Sequence, residues 1–133
     1  MPRLLRVLWV LPVSLPAAAL ALLGRATGGH LAFRDGVLEA AGGALGPFLT
    51  LLNPRLRIAA ITLGHVVLAR TRADLDRTRP HERVHVRQFE RWGAFFPFLY
   101  LGASAVLLLR GGHVYWDNPY EREARAAEGE SSG

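Results

Sequence analysis

Apolar and polar positions fall into long blocks along this chain, and the first block is apolar. Residues 7–23 contain no charged side chain, follow Arg3 and Arg6, and include a run of three alanines at 17–19, before Gly24 and Arg25. A stretch of this length and polarity is typical of a membrane anchor, a cleaved signal sequence or a buried helix. The prolines at 12 and 16 disfavour a straight span. We predict an N-terminal apolar helix that anchors the chain to a membrane.

The next part of the chain has the pattern of short strands. Residues 30–40 form two alternating runs separated by Asp35-Gly36, a pair that accepts the positive φ angles of a tight turn, and this predicts a β-hairpin. Residues 58–70 are rich in β-branched side chains and predict one strand, with Gly64 marking a bulge or a close backbone approach. Between these two regions, glycine and proline at 42–47 and Asn-Pro at 53–54 are predicted to interrupt regular secondary structure.

The second half of the chain is predicted to be helical. Residues 70–79 are polar and predict a loop, after which Pro80 would be the first residue of a helix that ends near Trp92. Residues 94–109 carry no charge and predict an apolar helix, slightly short for a full membrane crossing. The Asn-Pro pair at 118–119 predicts the start of a last helix.

The helix after the polar loop carries the spacing His-Glu-x-x-His, formed by His81, Glu82 and His85. Residues four apart share one face of a helix, so the two imidazoles can bind one metal ion with the glutamate beside them. A catalytic zinc takes three protein ligands and leaves a fourth position for water. The candidates for the third ligand are His65, Glu90, His113, Asp117, Glu121 and Glu123.

The motif resembles that of the gluzincins, a superfamily of zinc peptidases. In this chain His81-Glu82-x-x-His85 is followed downstream by Glu121-x-x-Ala124, as in the Glu-x-x-Ala context of that superfamily. The resemblance implies zinc bound by His81, His85 and Glu121. It also implies Glu82 as the general base for a water activated by zinc.

Further parts of the chain extend this resemblance. Residues 58–70 would correspond to the edge strand that pairs with substrate in the gluzincins. Arg125 stands where many of these enzymes carry an aspartate or asparagine that supports a ligand histidine, so such support is missing or comes from another residue. The wider pattern at 81–88, 90–93 and 118–124 also resembles a group of small, uncharacterised bacterial membrane proteins.

A purely structural role of the same residues is the alternative. If Pro80 begins the helix, His81 and Glu82 lie in its first turn, where Glu82 suits the positive helix end. With Asn118 as N-cap, Glu121 occupies the position from which a glutamate completes a capping box. The motif would then be structural, or would bind metal without turnover.

Composition favours a membrane protein over a nucleic-acid-binding one. Half of the 133 residues are hydrophobic, the net charge is +5, and no cysteine is present, which excludes disulfides and thiolate-held zinc. The basic residues are arginines scattered without interleaved aromatic residues, a distribution that does not favour nucleic-acid binding. Arginines between 70 and 91 are instead expected to face solvent or lipid headgroups.

The zinc hypothesis places a condition on the chain path. If residues 94–109 crossed a bilayer, His85 and Glu121 would lie on opposite sides, roughly 30 Å apart. The helix after Gly93 must therefore turn back antiparallel to residues 80–92, with Pro97 near the bend. A monotopic or hairpin-inserted arrangement, with the arginine-rich parts at the cytoplasmic face of the bacterial inner membrane, satisfies this condition.

The sequence thus predicts a small α+β protein that resembles a minimal zincin. Its expected parts are an anchor at 1–24, a single domain at 25–127 and a disordered tail at 128–133. The domain would have short antiparallel strands, the motif helix, an apolar return helix and a C-terminal helix. The predicted function is a membrane-associated, zinc-dependent metallopeptidase with a peptide or protein substrate. The alternative is a non-catalytic membrane protein.

Overall fold

A computed structural model describes residues 2–52, 58–113 and 116–132, which form an α+β fold with an apolar N-terminal helix. The predicted α+β class and the predicted apolar N-terminal helix are therefore confirmed. The elements, in chain order, are α1 (Arg3–Ala26), β1 (His30–Arg34), β2 (Val37–Ala41), α2 (Leu45–Leu52), β3 (Ala60–Leu63), β4 (Val66–Ala69), α3 (Arg72–Trp92), α4 (Phe96–Leu109) and α5 (Pro119–Ser132). A 3-10 turn at Gly93–Phe95 joins α3 to α4.

The strands form one mixed sheet in the order β1-β2-β4-β3. β1 pairs with β2 and β3 pairs with β4 in antiparallel fashion, whereas β2 and β4 are parallel, with Leu38 opposite Val66. The prediction of antiparallel strands alone was wrong. After α2 the chain first forms the edge strand β3, and the following turn brings β4 back between β3 and β2, where it runs in the same direction as β2. β3 consequently lies at one edge.

The hairpin predicted at Asp35-Gly36 is confirmed. Arg34 lies opposite Val37, so the loop has two residues, and φ is 51° at Asp35 and 79° at Gly36. Positive φ at both loop residues is the requirement of a type I′ turn. The local sequence was sufficient here because the turn depends on its own two residues.

The single strand predicted at 58–70 is instead a second hairpin, β3 and β4. Its turn lies at Gly64, where φ is 67° and an added Cβ would lie 2.2 Å from the Ser14 Oγ. The predicted close approach is thus correct, and its partner is α1. The apolar residues on both sides of Gly64 concealed the turn, since β4 is buried along its whole length.

The breaks predicted at 42–47 are correct only in part. Gly42 and Gly43 have positive φ and precede α2, but Gly46 and Pro47 belong to the first turn of that helix. Proline is well tolerated there, because the first N–H groups of a helix have no partner within the helix. The break predicted at 53–54 lies outside the described residues.

α1 runs without interruption through Pro12 and Pro16 and packs one face on the sheet. The residues on that face have small side chains, and Ala17 and Ala21 pack against Ala40 and Leu68. Six leucines of the same helix are exposed: Leu4, Leu5, Leu8, Leu15, Leu22 and Leu23. In the part of the chain that the structure describes, two helical segments could cross a membrane by length and composition, Arg3–Ala26 and Arg72–Leu109. The N-terminal helix is therefore apolar enough for an anchor and is also part of the core.

α3 begins eight residues earlier than predicted, at Arg72 rather than Pro80. Thr71 is its N-cap, and the Thr71 Oγ1 accepts a 3.1 Å hydrogen bond from the Asp74 N–H. The segment predicted as a polar loop is helical, and Pro80 lies within the helix. The His-Glu-x-x-His motif therefore lies in the middle of α3, away from the terminal turn where helices fray.

A buried carboxylate joins α3 to the sheet. Glu39 of β2 is 2% exposed and accepts hydrogen bonds from Arg79 at 3.0 and 3.1 Å and from Arg83 at 2.8 Å. Burial would raise the pKa of Glu39, but the hydrogen bonds and charges of the two arginines outweigh it and lower the pKa. Both arginines come from the helix that carries the motif, so this cluster holds α3 in register with the sheet.

We expect Glu39→Gln to lower the free energy of unfolding by about 1–3 kcal/mol at pH 7, because two arginines lose a charged partner. Since the folded-state pKa is below the unfolded value of about 4.3, this contribution is present above that value and is lost as the pH falls through the folded pKa. Denaturation of both proteins from pH 7 to pH 3 measures it. Arg77→Gln is the control, since Arg77 is 66% exposed. If the difference in free energy of unfolding between the wild type and Glu39→Gln grew towards acid pH, the lowered pKa of Glu39 would be contradicted.

Candidate metal centre

The middle of α3 presents polar residues to the interior. His81, Glu82 and His85 are 5%, 5% and 8% exposed, although helix α3 as a whole is polar. The Nε2 atoms of His81 and His85 lie 3.2 Å apart. As the i, i+4 spacing predicts, both imidazoles are directed to one point.

Glu121 comes to the same point from α5. Its Oε1 lies 3.3 Å from the His81 Nε2 and 2.5 Å from the His85 Nε2, and its Oε2 accepts a 3.1 Å hydrogen bond from the Tyr100 hydroxyl. Asn118 caps α5 as predicted, with its Oδ1 accepting from the Tyr120 N–H at 3.0 Å. The Glu121 carboxylate is thus directed at the histidines and not at the helix N-terminus, where a capping box would place it.

The chain returns to α3 by a different path from the one predicted. α5 is the helix that packs along α3, whereas in α4 only Phe96 is buried, against Phe89 and close to His85. The prediction that α4 forms an antiparallel αα-hairpin with α3 was therefore wrong. α3 ends at Gly93, where φ is 61° and Trp9 leaves no room for a Cβ atom. The zinc hypothesis required only that the chain bring Glu121 back to the side of His85, and this condition is met.

His81, His85 and Glu121 could together hold a metal ion. One ligand atom from each lies within 4.8 Å of the others, and all three side chains are buried. For metal–ligand bonds of about 2.0–2.1 Å, tetrahedral ligand atoms lie roughly 3.3 Å apart. The distances from His81 match this value, and the 2.5 Å between His85 and Glu121 is that of a hydrogen bond. The donor set fits a metal after a small separation of α5 from His85.

Gln88 supports the histidines from the next turn of α3. Its Oε1 lies 2.8 Å from the His85 Nδ1, and its Nε2 donates to the Tyr120 carbonyl at 3.1 Å and to the Glu123 carboxylate at 2.9 Å. An amide oxygen accepts from Nδ1–H, which leaves the His85 Nε2 lone pair available to a metal. Gln88 thus gives the support that Arg125 does not provide. In the sequence, the available signal for this role was the helical spacing that places Gln88 on the same face as His81 and His85.

Replacing Gln88 by leucine is expected to weaken metal binding by about 10–100-fold, the usual effect of losing a partner of a ligand histidine. Chelator competition with the purified protein measures the affinity, and thermal unfolding reports whether the fold persists. Glu123→Ala is the matched control, since it removes a contact from the same amide and leaves the His85 bond. A folded Gln88→Leu protein with unchanged affinity would disprove this role.

Glu82 lies beside the three-residue cluster and has its own partner. The Thr62 hydroxyl of β3 is 2.5 Å from the Glu82 Oε2. Burial raises the pKa of Glu82, and the charges of the histidines and the Thr62 hydrogen bond only partly oppose it. A carboxylate with a raised pKa is suited to accept and return a proton near neutral pH. Sequence reasoning missed Thr62, a polar residue between Ile61 and Leu63.

The electrostatics of the cluster favour a charged Glu121. Burial alone would raise its pKa, but hydrogen bonds and charge from His81 and His85 lower it to about 2. For His85 burial acts to lower the pKa, and the Glu121 hydrogen bond together with the charges of Glu82 and Glu121 raises it. The site therefore provides an anionic oxygen between two imidazoles, which suits a cation.

The other candidate ligands lie elsewhere. Glu123 contacts Gln88, His65 lies 3.3 Å from Glu90, and the His113 N–H donates to Asp117 at 2.7 Å. Among the described side chains of residues 2–52, 58–113 and 116–127, no second group of three such side chains approaches closely enough to hold a metal ion.

A cavity of about 400 Å³ opens onto the cluster. Its floor is His81, Glu82, His85 and Glu121, and its walls come from β3 and from Phe96, Pro97, Tyr100 and Leu101 of α4. This volume lies in the range of small-ligand sites.

No protein-family model matches this chain, and no curated protein or solved structure matches it either.

Proposed function

We propose that the protein is a membrane-associated, zinc-dependent hydrolase of the peptidase type, similar to the gluzincins in its site and to a minimal zincin in its fold. The observation that carries the proposal is the return of Glu121 to the Nε2 atoms of His81 and His85, with Glu82 beside them and outside the three-residue cluster. Two imidazoles and one carboxylate make up a catalytic zinc site, whereas structural zinc sites usually have four protein ligands.

When held by His81, His85 and Glu121, zinc would act as a Lewis acid and would lower the pKa of a water molecule. The residues of the chain supply the rest. Glu82 accepts a proton at its carboxylate and can return it to a leaving amine, while Thr62 holds that carboxylate at 2.5 Å. Tyr100 fixes the second oxygen of Glu121.

β3 gives the proposal its substrate class, a peptide or protein. In the described sheet β3 pairs with β4 on one side, and residues Ala60 to Leu63 line the cavity. An exposed strand edge can pair with an extended peptide through main-chain hydrogen bonds. A peptide in that position would pass Glu82 and the metal cluster, so the edge and the site suit one substrate.

The location we propose is the bacterial inner membrane, with lipids as partners and no nucleic acid. Two apolar helical segments and a net charge of +5 support attachment to an anionic bilayer.

A non-catalytic role is the alternative, and a specific contact favours it. The His85 and Glu121 side chains already bond at 2.5 Å, which joins α3 to α5 without an ion. The motif would then be structural.

Metal analysis of the purified protein separates the two. We expect one equivalent of zinc, lost in His81→Ala and in His85→Ala and retained in the control His65→Ala. His65 is also a partly buried histidine, and it contacts Glu90 outside the site. A folded protein that binds no metal after incubation with zinc would refute the hydrolase and leave the structural role.

A further inference from the structure

The cavity above the metal cluster has a polar floor and an apolar wall. Apart from the site residues, Thr62 and Tyr100, its lining is apolar, including Ile61 and Leu63 of β3 and Phe96 and Leu101 of α4. A substrate that fills it must therefore bring apolar side chains to the bond that is cleaved.

The wall formed by α4 is also an outer surface of the protein. Leu101 lines the cavity and is 63% exposed, and Phe98, Leu108 and Leu109 on the same helix are 74%, 69% and 88% exposed. No charged residue occurs in α4. An uncharged helix with apolar side chains on every face is typical of a membrane segment or a buried core helix, and this one is not buried.

The ends of α4 carry the residues that prefer a membrane interface. Arg91 and Trp92 precede it, Arg110 and Trp116 follow it, and all four side chains are exposed. Tryptophan and arginine at both ends of an apolar helix are anchors at the headgroup level. With 14 residues α4 is roughly 21 Å long, shorter than the hydrocarbon core of about 30 Å. Because Glu121 returns to α3, α4 enters the bilayer without carrying the chain across it.

The mouth of the cavity then opens beside acyl chains. An apolar segment already in the bilayer reaches the cavity by lateral movement past Leu101, whereas a polar peptide in water must first enter the apolar phase. The edge of β3 offers N–H and C=O groups to an extended backbone, which hydrocarbon cannot do. We infer that the substrate is a membrane-inserted polypeptide, cleaved at an apolar segment that enters between α4 and β3. This inference rests on the proposed hydrolase.

Photocrosslinking tests substrate entry without requiring turnover. The full-length Glu82→Gln protein, loaded with zinc, carries a benzophenone amino acid in place of Leu101, and in a matched variant in place of Leu109. Both variants are reconstituted in vesicles of phosphatidylcholine and phosphatidylglycerol. One probe is a lysine-flanked, single-span peptide of leucine and alanine with a central glycine pair. The other is a water-soluble peptide with the same flanks and no apolar segment.

We expect the single-span peptide to crosslink several-fold more at Leu101 than at Leu109, where adducts report random contact in the bilayer. An excess of the soluble peptide should leave this yield unchanged. Equal yields at the two positions, or displacement by the soluble peptide, would overturn the inference. If Leu101 formed adducts with lipid alone, the inference would also be overturned, and the cavity would be assigned to an acyl lipid.

The cleavage reaction distinguishes this inference from the proposed function. If the zinc-loaded wild type cleaves soluble peptides and spares membrane-inserted ones, the hydrolase stands and the membrane substrate is refuted. If the crosslink at Leu101 forms but the wild type cleaves no peptide, the hydrolase is refuted and the binding of a membrane-inserted polypeptide stands.

Discussion

Glu82→Gln is expected to lower the rate of peptide hydrolysis by about 10²–10⁴-fold, because the amide cannot accept the proton that the carboxylate takes. Zinc binding should persist at one equivalent, since Glu82 is not among the three ligand residues. Cleavage of a fluorescence-quenched peptide library in vesicles measures the rate, and metal analysis of the same sample measures the zinc.

Glu90→Gln is the matched control for Glu82→Gln. Glu90 lies on the same helix and contacts Arg6 and His65 away from the metal cluster, so the same change of charge should leave hydrolysis unchanged. Full activity of Glu82→Gln with zinc bound would show that another group takes the proton. Loss of zinc from this variant would instead show that Glu82 is needed for metal binding.

Glu121→Ala is expected to weaken zinc binding by at least about 100-fold and to abolish hydrolysis, since it removes one of three ligands and the only anionic one. Burial of His81 and His85 persists, but two neutral imidazoles do not compensate the charge of a divalent cation. Competition with a chelator of known affinity measures the change, and circular dichroism establishes whether α5 remains helical.

Glu123→Ala is the control for this substitution. It removes the same charge from the same helix two residues away, where the carboxylate contacts Gln88 and not the histidines. We expect a much smaller loss of affinity than for Glu121→Ala. Equal affinity of Glu121→Ala and the wild type would leave the histidine pair as a metal site and would remove the similarity to the gluzincins.

Features that depend on neighbouring residues could be predicted from the sequence. The Asp35-Gly36 turn, the end of α3 before Gly93, the Asn118 cap and the shared face of His81 and His85 all follow from local backbone or helix geometry. The meeting of Glu121 with the two histidines could be predicted only from the resemblance to a known motif, because Glu121 is 40 residues from His81 in sequence.

Features that depend on distant partners were not predictable in this way. Pro80 suggested a helix start, but Thr71 caps an earlier start, and contacts of Arg79 and Arg83 with Glu39 hold the helix across the proline. Local propensity is a weak prior when tertiary contacts of this kind compete with it.

Dependence on distant partners also explains why the strand pairing of the sheet and the polar partners of the site were not predicted. The parallel pairing of β2 with β4 brings together strands from separate hairpins, and no local pattern encodes it. Gln88 and Thr62 acquire roles only when His85 and Glu82 are beside them in space. The helical spacing of Gln88 from His85 was a partial signal of its role, whereas nothing in the sequence around Thr62 indicates a partner.

The hydrogen bonds of Gln88 connect the candidate metal cluster to the packing of α5 on α3. One amide bonds to the His85 ring in α3 and to the backbone of α5, the helix that delivers Glu121. Docking of α5 and the binding of an ion at the cluster would therefore be linked equilibria, and by reciprocity each would change the other by the same factor. A tightly bound ion would raise the free energy of α5 release, and a solvent or lipid that loosens α5 would lower the ion affinity equally. Release of α5 from α3 would thus also weaken the hold on any ion bound between His81, His85 and Glu121.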